Sequence, residues 1–219
     1  MRLFVTGTGT DVGKTRLTLA LTLALRARGL PVVALKPLET GCDPEPADAT
    51  ALAAACDRPE LAHLPGLYRA RRPLAPFAAT LEGEPAPAWG PLVEAVQAHR
   101  DAPNLLVEGA GGLLVPIDAE RSIADLAVAL EMPLAVVARD GLGVLSDTLA
   151  TLECVRRRGL EVAAVILRRP AAPDGSTATN IDILRQRSGC LVLPFPHLEG
   201  DHELADAGEA ILGSLEVCR

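Results

Sequence analysis

The chain has 219 residues, a length that suits one large domain and leaves little room for two. Apolar residues make up 49 %, enough for a sizeable core, but aromatics only 2 %, so that core must be built from Leu, Val, Ile and Ala. The net charge of −7 argues against a nucleic-acid partner, which needs a basic surface, and leaves nucleotides open, since these need only a local electropositive pocket.

Short apolar runs recur along the chain. They are Leu3 to Val5, Val32 to Leu35, Leu105 to Val107, Leu134 to Val137, Val162 to Leu167 and Leu191 to Leu193. Each is apolar throughout rather than alternating, the pattern of parallel strands buried on both faces. The segments between them read as helices: Lys14 to Arg28, Asp48 to Cys56, Pro91 to Arg100, Ser122 to Leu130, Ser146 to Arg158, Asn180 to Arg187 and Glu203 to Leu215. Gly29 stops the first, and Gly159 follows a last turn carrying Arg156, Arg157 and Arg158. The stretch from Asp57 to Pro91 is rich in Pro and Gly and reads as irregular structure over a site. The alternation predicts an α/β fold, a doubly wound and mostly parallel sheet with helices on both faces. Ligands of such sheets bind at the carboxyl ends of the strands.

Gly7-Thr8-Gly9-Thr10-Asp11-Val12-Gly13-Lys14-Thr15 follows a strand and opens a helix. Glycines let backbone N–H groups turn inward around phosphate oxygens, and the helix N-terminus adds positive potential. Lys14 would reach the β- and γ-phosphates, and the Thr15 hydroxyl would hold Mg²⁺. The loop is a variant, because Thr8 stands where the standard spacing has Gly. Lys36 ends the second strand run, where a lysine points toward the phosphates. Asp48 opens a short helix, and an aspartate there reads first as an N-cap. Glu108 ends the third run and precedes Gly109-Ala110-Gly111-Gly112. A carboxylate at that place can hold Mg²⁺, and the glycines let backbone approach a ligand. Gly141-Leu142-Gly143-Val144-Leu145-Ser146 precedes a helix and reads first as ordinary strand-to-helix capping, although its N–H groups suit a substrate carboxylate.

The five cysteines, Cys42, Cys56, Cys154, Cys190 and Cys218, form no CxxC pair and are odd in number, so reduced thiols are expected. The histidines show no metal or triad spacing, and Trp89 stands isolated. The chain opens on a strand pattern, and no apolar run is long enough to span a bilayer. A cytoplasmic protein without a membrane partner is the expectation.

The phosphate-loop segment, Lys36-Pro37-Leu38-Glu39-Thr40-Gly41, Asp48-Ala49 and Val107-Glu108-Gly109-Ala110-Gly111-Gly112 together resemble the dethiobiotin synthetases. Order and spacing match across essentially the whole chain, and Leu193-Pro194-Phe195-Pro196-His197-Leu198 agrees more loosely. The resemblance implies a single P-loop NTPase-like domain over residues 1–219. It implies a Mg²⁺-dependent cyclo-ligase that uses ATP to convert 7,8-diaminononanoate and CO₂ to dethiobiotin through a carbamate and a carbamyl phosphate. It also implies a homodimer with the substrate near the interface.

Carried onto this chain, Lys14 and Lys36 would neutralise the triphosphate and the transition state. Thr10, Asp11 and Thr40 would line the phosphate and diamine site. Thr15, Asp48 and Glu108 would hold Mg²⁺. Gly9, Val12, Gly13, Gly109, Gly111, Arg168 and Pro194 would contact the nucleotide, with Gly111 also facing the substrate. Gly143, Val144, Leu145 and Ser146 would serve the substrate carboxylate from the partner subunit, with Ser146 capping the helix.

The chain departs from the family in three places. Ser146-Asp147 replaces Asn-His, Phe77 follows Pro76 where the family often has His, and Arg168 replaces an Asn that reads adenine. Arginine offers donors but no acceptor, so relaxed nucleotide preference is expected. Two other readings remain open. One is a related P-loop ligase acting on another carboxylate or carbamate. The other is a ParA/MinD-like regulatory ATPase, which usually carries an extra lysine where this chain has Gly9.

Overall fold

The apolar runs become strands because both of their faces can be covered. In the computed structural model, which describes residues 1–198 and 200–217, six strands form one parallel sheet. They are β1 (Arg2–Gly7), β2 (Val33–Leu35), β5 (Leu105–Glu108), β6 (Leu134–Arg139), β7 (Val162–Arg168) and β8 (Val192–Phe195). Their spatial order is β2-β5-β1-β6-β7-β8. A second, two-stranded parallel sheet joins β3 (Leu38–Thr40) to β4 (Tyr68–Ala70).

The helices are α1 (Lys14–Ala27), α2 (Ala47–Ala55), α3 (Pro76–Leu81), α4 (Trp89–Gln97), α5 (Ile123–Leu130), α6 (Val144–Arg157), α7 (Asn180–Ser188) and α8 (Asp201–Val217). They cover both faces of the six-stranded sheet, as the alternating pattern predicts. The core is aliphatic. Leu3, Val5, Leu106, Val107, Val136 and Ile166 are buried in the sheet, and Phe4 and Phe195 are the largest fully buried side chains. Among the described residues no helix is long and apolar enough to cross a membrane.

Several expectations need correction. The stretch from 57 to 91 is not irregular throughout: it holds a 3₁₀ turn (Pro59–His63), β4, α3 and the start of α4. Elements of three to six residues are too short to show periodicity, and Pro76 sits in the first turn of α3, where its fixed φ is tolerated. Half-buried Arg69 pins this region. It donates to the carbonyls of Lys36 (3.0 Å), Tyr68 (2.8 Å) and Ala62 (2.9 Å). Helix α6 begins at Val144, with Gly143 as its N-cap, so Ser146 lies in the first turn and does not cap the helix. Asp48 is not an N-cap either, because α2 already starts at Ala47. Cys42, Cys56, Cys154 and Cys190 are free thiols, and Cys218 lies outside the described residues. Trp89 is not isolated, since the Arg121 guanidinium stacks 4.9 Å above its ring.

Parallel pairing sets the site. Val5 lies opposite both Glu108 of β5 and Ala135 of β6, so the ends of β1 and β5 open on one edge. Leu35 pairs with Val107, which brings Lys36 to the same edge as Glu108. This is the carboxyl edge, where α/β sheets bind ligands.

Candidate nucleotide and metal site

The phosphate loop runs from β1 into α1. Gly13 holds φ at +107°, a left-handed value that glycine adopts without strain. A side chain there would also collide with Arg168, whose Cδ would lie 2.3 Å from the added carbon. Asp11 takes φ +56° without being glycine, a conformation Asp tolerates better than most residues. The Lys14 side chain folds back to donate to the Gly9 carbonyl at 2.8 Å. Lys14 is 6 % exposed. Burial draws its pKa down to about 8, and neighbouring Lys36 adds to the fall against the pull of Glu108, Asp11 and Asp48.

The second centre lies beside it. Lys36 Nζ donates to Glu108 Oε1 at 2.7 Å and to Asp48 Oδ2. Thr15 Oγ1 donates to the same Glu108 oxygen at 2.7 Å. Glu108 is fully buried, and its other oxygen, Oε2, has no partner. Burial disfavours the Lys36 ammonium, but Glu108 and Asp48 outweigh it and hold its pKa above the usual value.

Asp48 is placed from below by Glu39. The Glu39 carboxylate accepts from the backbone N–H of Asp48 and of Ala49, both at 2.8 Å, and so caps α2 from the middle of β3. Glu39 is a functional residue that sequence reasoning missed. The separation between β3 and α2 carries no local capping signature, and only the buried charge beside a helix start reveals the role.

One cleft of about 670 Å³ joins these groups. Its lining includes Thr10, Asp11, Gly13, Lys14 and Thr15, then Lys36, Thr40, Asp48, Glu108 and Gly111, and finally Arg168. The volume is in the range of small-molecule sites. Lys36, Asp48 and Glu108 are clustered in it, and Arg16 and Arg168 also line the cleft. Burial, with Arg139 and Arg16 nearby, pulls the Arg168 guanidinium below its usual pKa. Among the described residues Arg168 has no ion-pair or hydrogen-bond partner for its side chain.

Other expected residues fall elsewhere. Gly9 and Thr8 border a neighbouring cavity of about 540 Å³ that reaches Leu114, Asp147 and Cys154. Val12 is buried and borders another cavity, with Asp140 and Asp174. Gly109 does not line the cleft. A side chain on it would meet Ile123 at 2.9 Å and Phe4 at 3.2 Å, so its role is close packing. Pro194 is exposed within β8, opposite Leu167, and also stands outside the cleft. Gly143, Val144, Leu145 and Ser146 do not reach this chain's own cleft. The Val144 N–H is already spent on the Gly141 carbonyl at 3.1 Å, so it is not free for a carboxylate.

Residues 1–205 match a family model described as an AAA domain. An ATP-dependent dethiobiotin synthetase of Anaeromyxobacter sp. (strain Fw109-5) is 47 % identical over 177 residues, 78 % of each chain. Its counterpart from Anaeromyxobacter dehalogenans (strain 2CP-1) is 45 % identical over 201 residues, 88 % of this chain and 89 % of the relative. The one from Caulobacter vibrioides (strain NA1000) is 42 % identical over 179 residues, covering 78 % and 82 %. This chain belongs to the dethiobiotin synthetase family.

Solved structures agree on fold. A ParA family ATPase of Chlorobium tepidum superposes with a TM-score of 0.51 at 14 % identity, over 97 % of this chain and 91 % of that one. The signal recognition particle receptor FtsY of Elizabethkingia anophelis also gives 0.51 at 14 %, and the chain spans 64 % of that protein's length. At such identity these likenesses concern fold alone. Gly13, Lys14 and Thr15 of the loop, with Lys36, Asp48 and Glu108, are residues the sequence singled out, and they converge on one cleft.

Proposed function

We propose that this chain is an ATP-dependent dethiobiotin synthetase, working as a single P-loop α/β domain. The observation that carries the reading is the convergence of Lys14, Lys36, Thr15, Asp48 and Glu108 on one strand-edge cleft. Phosphoryl transfer asks little covalent chemistry of a protein: it needs charge neutralised and reactants aligned. The cleft supplies cations, carboxylates and a glycine-lined loop, with no nucleophile required.

In this reading, 7,8-diaminononanoate and CO₂ join to a carbamate. A carbamate oxygen attacks the γ-phosphorus of ATP, forming carbamyl phosphate and releasing ADP. The second amine attacks the carbamyl carbon, expels phosphate and closes the ureido ring. Lys14 holds the β- and γ-phosphates, and Lys36 stabilises charge on the transferring group. Thr10, Asp11 and Thr40 border the reacting end, and Gly111 lets backbone approach it. Arg168 lies over Gly13 and meets the nucleotide without reading the adenine amino group.

Thr15, Asp48 and Glu108 would hold Mg²⁺. The buried, unpartnered Oε2 of Glu108 fits that role, since a carboxylate oxygen out of water calls for a cation or a donor. When bound, Mg²⁺ would neutralise and align phosphate oxygens. Among the described residues no cluster of three or more His, Cys, Asp or Glu side chains could hold a metal alone, which suits an ion that arrives with phosphates and water.

A homodimer fits the position of Gly143, Leu145 and Ser146 outside their own chain's cleft, with exposed Leu142 and Leu114 flanking α6. A cytoplasmic setting fits the free thiols. ADP formation should require the diamine, bicarbonate and Mg²⁺ together. ATP hydrolysis indifferent to the diamine would contradict the assignment.

A further inference from the structure

One oxygen of each carboxylate expected to hold a divalent cation, Asp48 Oδ2 and Glu108 Oε1, is already engaged by an ammonium, and Glu108 Oε2 is left without a partner. Lys36 Nζ contacts Asp48 Oδ2 and Glu108 Oε1, and Thr15 donates its hydroxyl to the same Glu108 oxygen. Lys36 is 7 % exposed, so its charge is held by these carboxylates rather than by water. Asp48 is 41 % exposed in its side chain and faces the open cleft, so a cation from solvent would approach from that side. A divalent ion on Glu108 Oε2 would share one carboxylate with the ammonium that contacts Oε1 at 2.7 Å, and like charges that close inside a protein repel strongly.

We infer that Lys36 is the resident cation of the metal site: without nucleotide its ammonium sits between Asp48 and Glu108 and keeps a divalent ion out. This rests on the assignment of Thr15, Asp48 and Glu108 to Mg²⁺. Lys36 leaves the carboxylates only when phosphate oxygens give it a new partner. Its stem starts where β2 ends, and the cleft it would cross also contains Lys14 and the phosphate loop. Metal entry and the delivery of Lys36 to the phosphates are then one exchange. The metal binds with the nucleotide, and Lys36 is aimed at the transferring group only when both are present. Neutralisation is kept throughout, because the two carboxylates face a cation in either state.

The test is a titration of the nucleotide-free full chain with Mn²⁺, a paramagnetic stand-in for Mg²⁺, followed by the loss of the free-ion signal. Wild type should show no saturable site at millimolar Mn²⁺. Lys36→Met should gain one site, tighter by roughly tenfold or more. Lys36→Arg, which keeps the charge, should gain none. Mn²⁺ should raise the Tm of Lys36→Met and not that of wild type, and Lys36→Met with Glu108→Gln should lose the gained site. Saturable Mn²⁺ binding to nucleotide-free wild type as tight as to Lys36→Met overturns the inference, and that result does not depend on how the variant folds. A folded Lys36→Met that gains no site overturns it too. The titration contains neither diamine nor turnover, so an absence of dethiobiotin would remove the proposed reaction and leave this result standing.

Discussion

The two parts of the cleft follow different rules. Around Lys36, Asp48 and Glu108 the charges are paired with one another, with Lys36 and Glu108 buried and Glu108 Oε2 left without a partner. Around Arg168, whose strand partner Arg139 lies outside the cleft lining, they are more exposed, and Arg168 stands unpaired among the described residues. Buried charge must be matched or it destabilises the fold, so few residue types fit there. Solvent relaxes that demand elsewhere, and the residues there are free to differ. On the proposed assignment, the chemistry of phosphoryl transfer would sit where the fold is strict, and the recognition of the nucleoside where it is lenient.

Substitutions ranked by expected effect would sharpen or break that contrast. Lys14→Ala removes the principal cation of the phosphate loop and should lower kcat by about 10³-fold or more, read as phosphate release. A normal kcat would show that the loop does not hold the reacting phosphates. Glu108→Gln keeps volume and removes charge. It should raise the Mg²⁺ concentration needed for half-maximal activity by ~10–100-fold while circular dichroism stays unchanged. An unaltered Mg²⁺ titration would take Glu108 out of the site.

The pH dependence has a defined sign. Lys14 in the free protein has a pKa of about 8. Phosphate binding favours its ammonium form and raises that pKa, so binding takes up a proton once pH exceeds about 8. Nucleotide affinity should be flat below pH 8 as far as Lys14 is concerned. It should weaken about tenfold per unit above it, until the raised pKa is reached. Calorimetry at pH 9 in buffers of different ionisation enthalpy should report uptake of close to one proton. No uptake would mean that Lys14 stays charged in the free protein.

Two smaller effects test the margins. Glu39→Ala removes the carboxylate that caps α2, a loss of about 1–2 kcal/mol, and should lower Tm by several degrees. It should also raise the Mg²⁺ requirement several-fold, because Asp48 loses its anchor, and an unchanged requirement would confine Glu39 to stability. At the lenient end, Kd values for ATP, GTP and CTP should lie within about tenfold of one another, as expected when no acceptor meets the adenine amino group. A strong preference for ATP alone would show that backbone reads the base.

The strict region was largely legible in the sequence. Glycines at fixed offsets, a lysine at one strand end and a carboxylate at another are spacings that only a few backbone paths can satisfy, and the fold brings Lys14, Thr15, Lys36 and Glu108 together as expected. The misses have physical causes. Strands β3 and β4 are three residues each, below the length at which a period shows. Helix α6 starts early because Gly143 can take φ +97°, a choice that residue type permits without announcing. Gly109 looked like a ligand contact, but its neighbours Phe4 and Ile123 come from distant sequence. Glu39 was passed over because the N–H groups it accepts belong to a helix that begins beyond an intervening loop.

The most direct test of the central claim is product formation. Purified protein should be incubated with 7,8-diaminononanoate, bicarbonate, Mg²⁺ and ATP, with dethiobiotin followed by mass and phosphate measured alongside. The account predicts dethiobiotin and phosphate in equal amounts, and neither when any one component is withheld. Tight nucleotide binding without dethiobiotin, with GTP and CTP tried as well, would contradict it and assign the same phosphate machinery to a different acceptor.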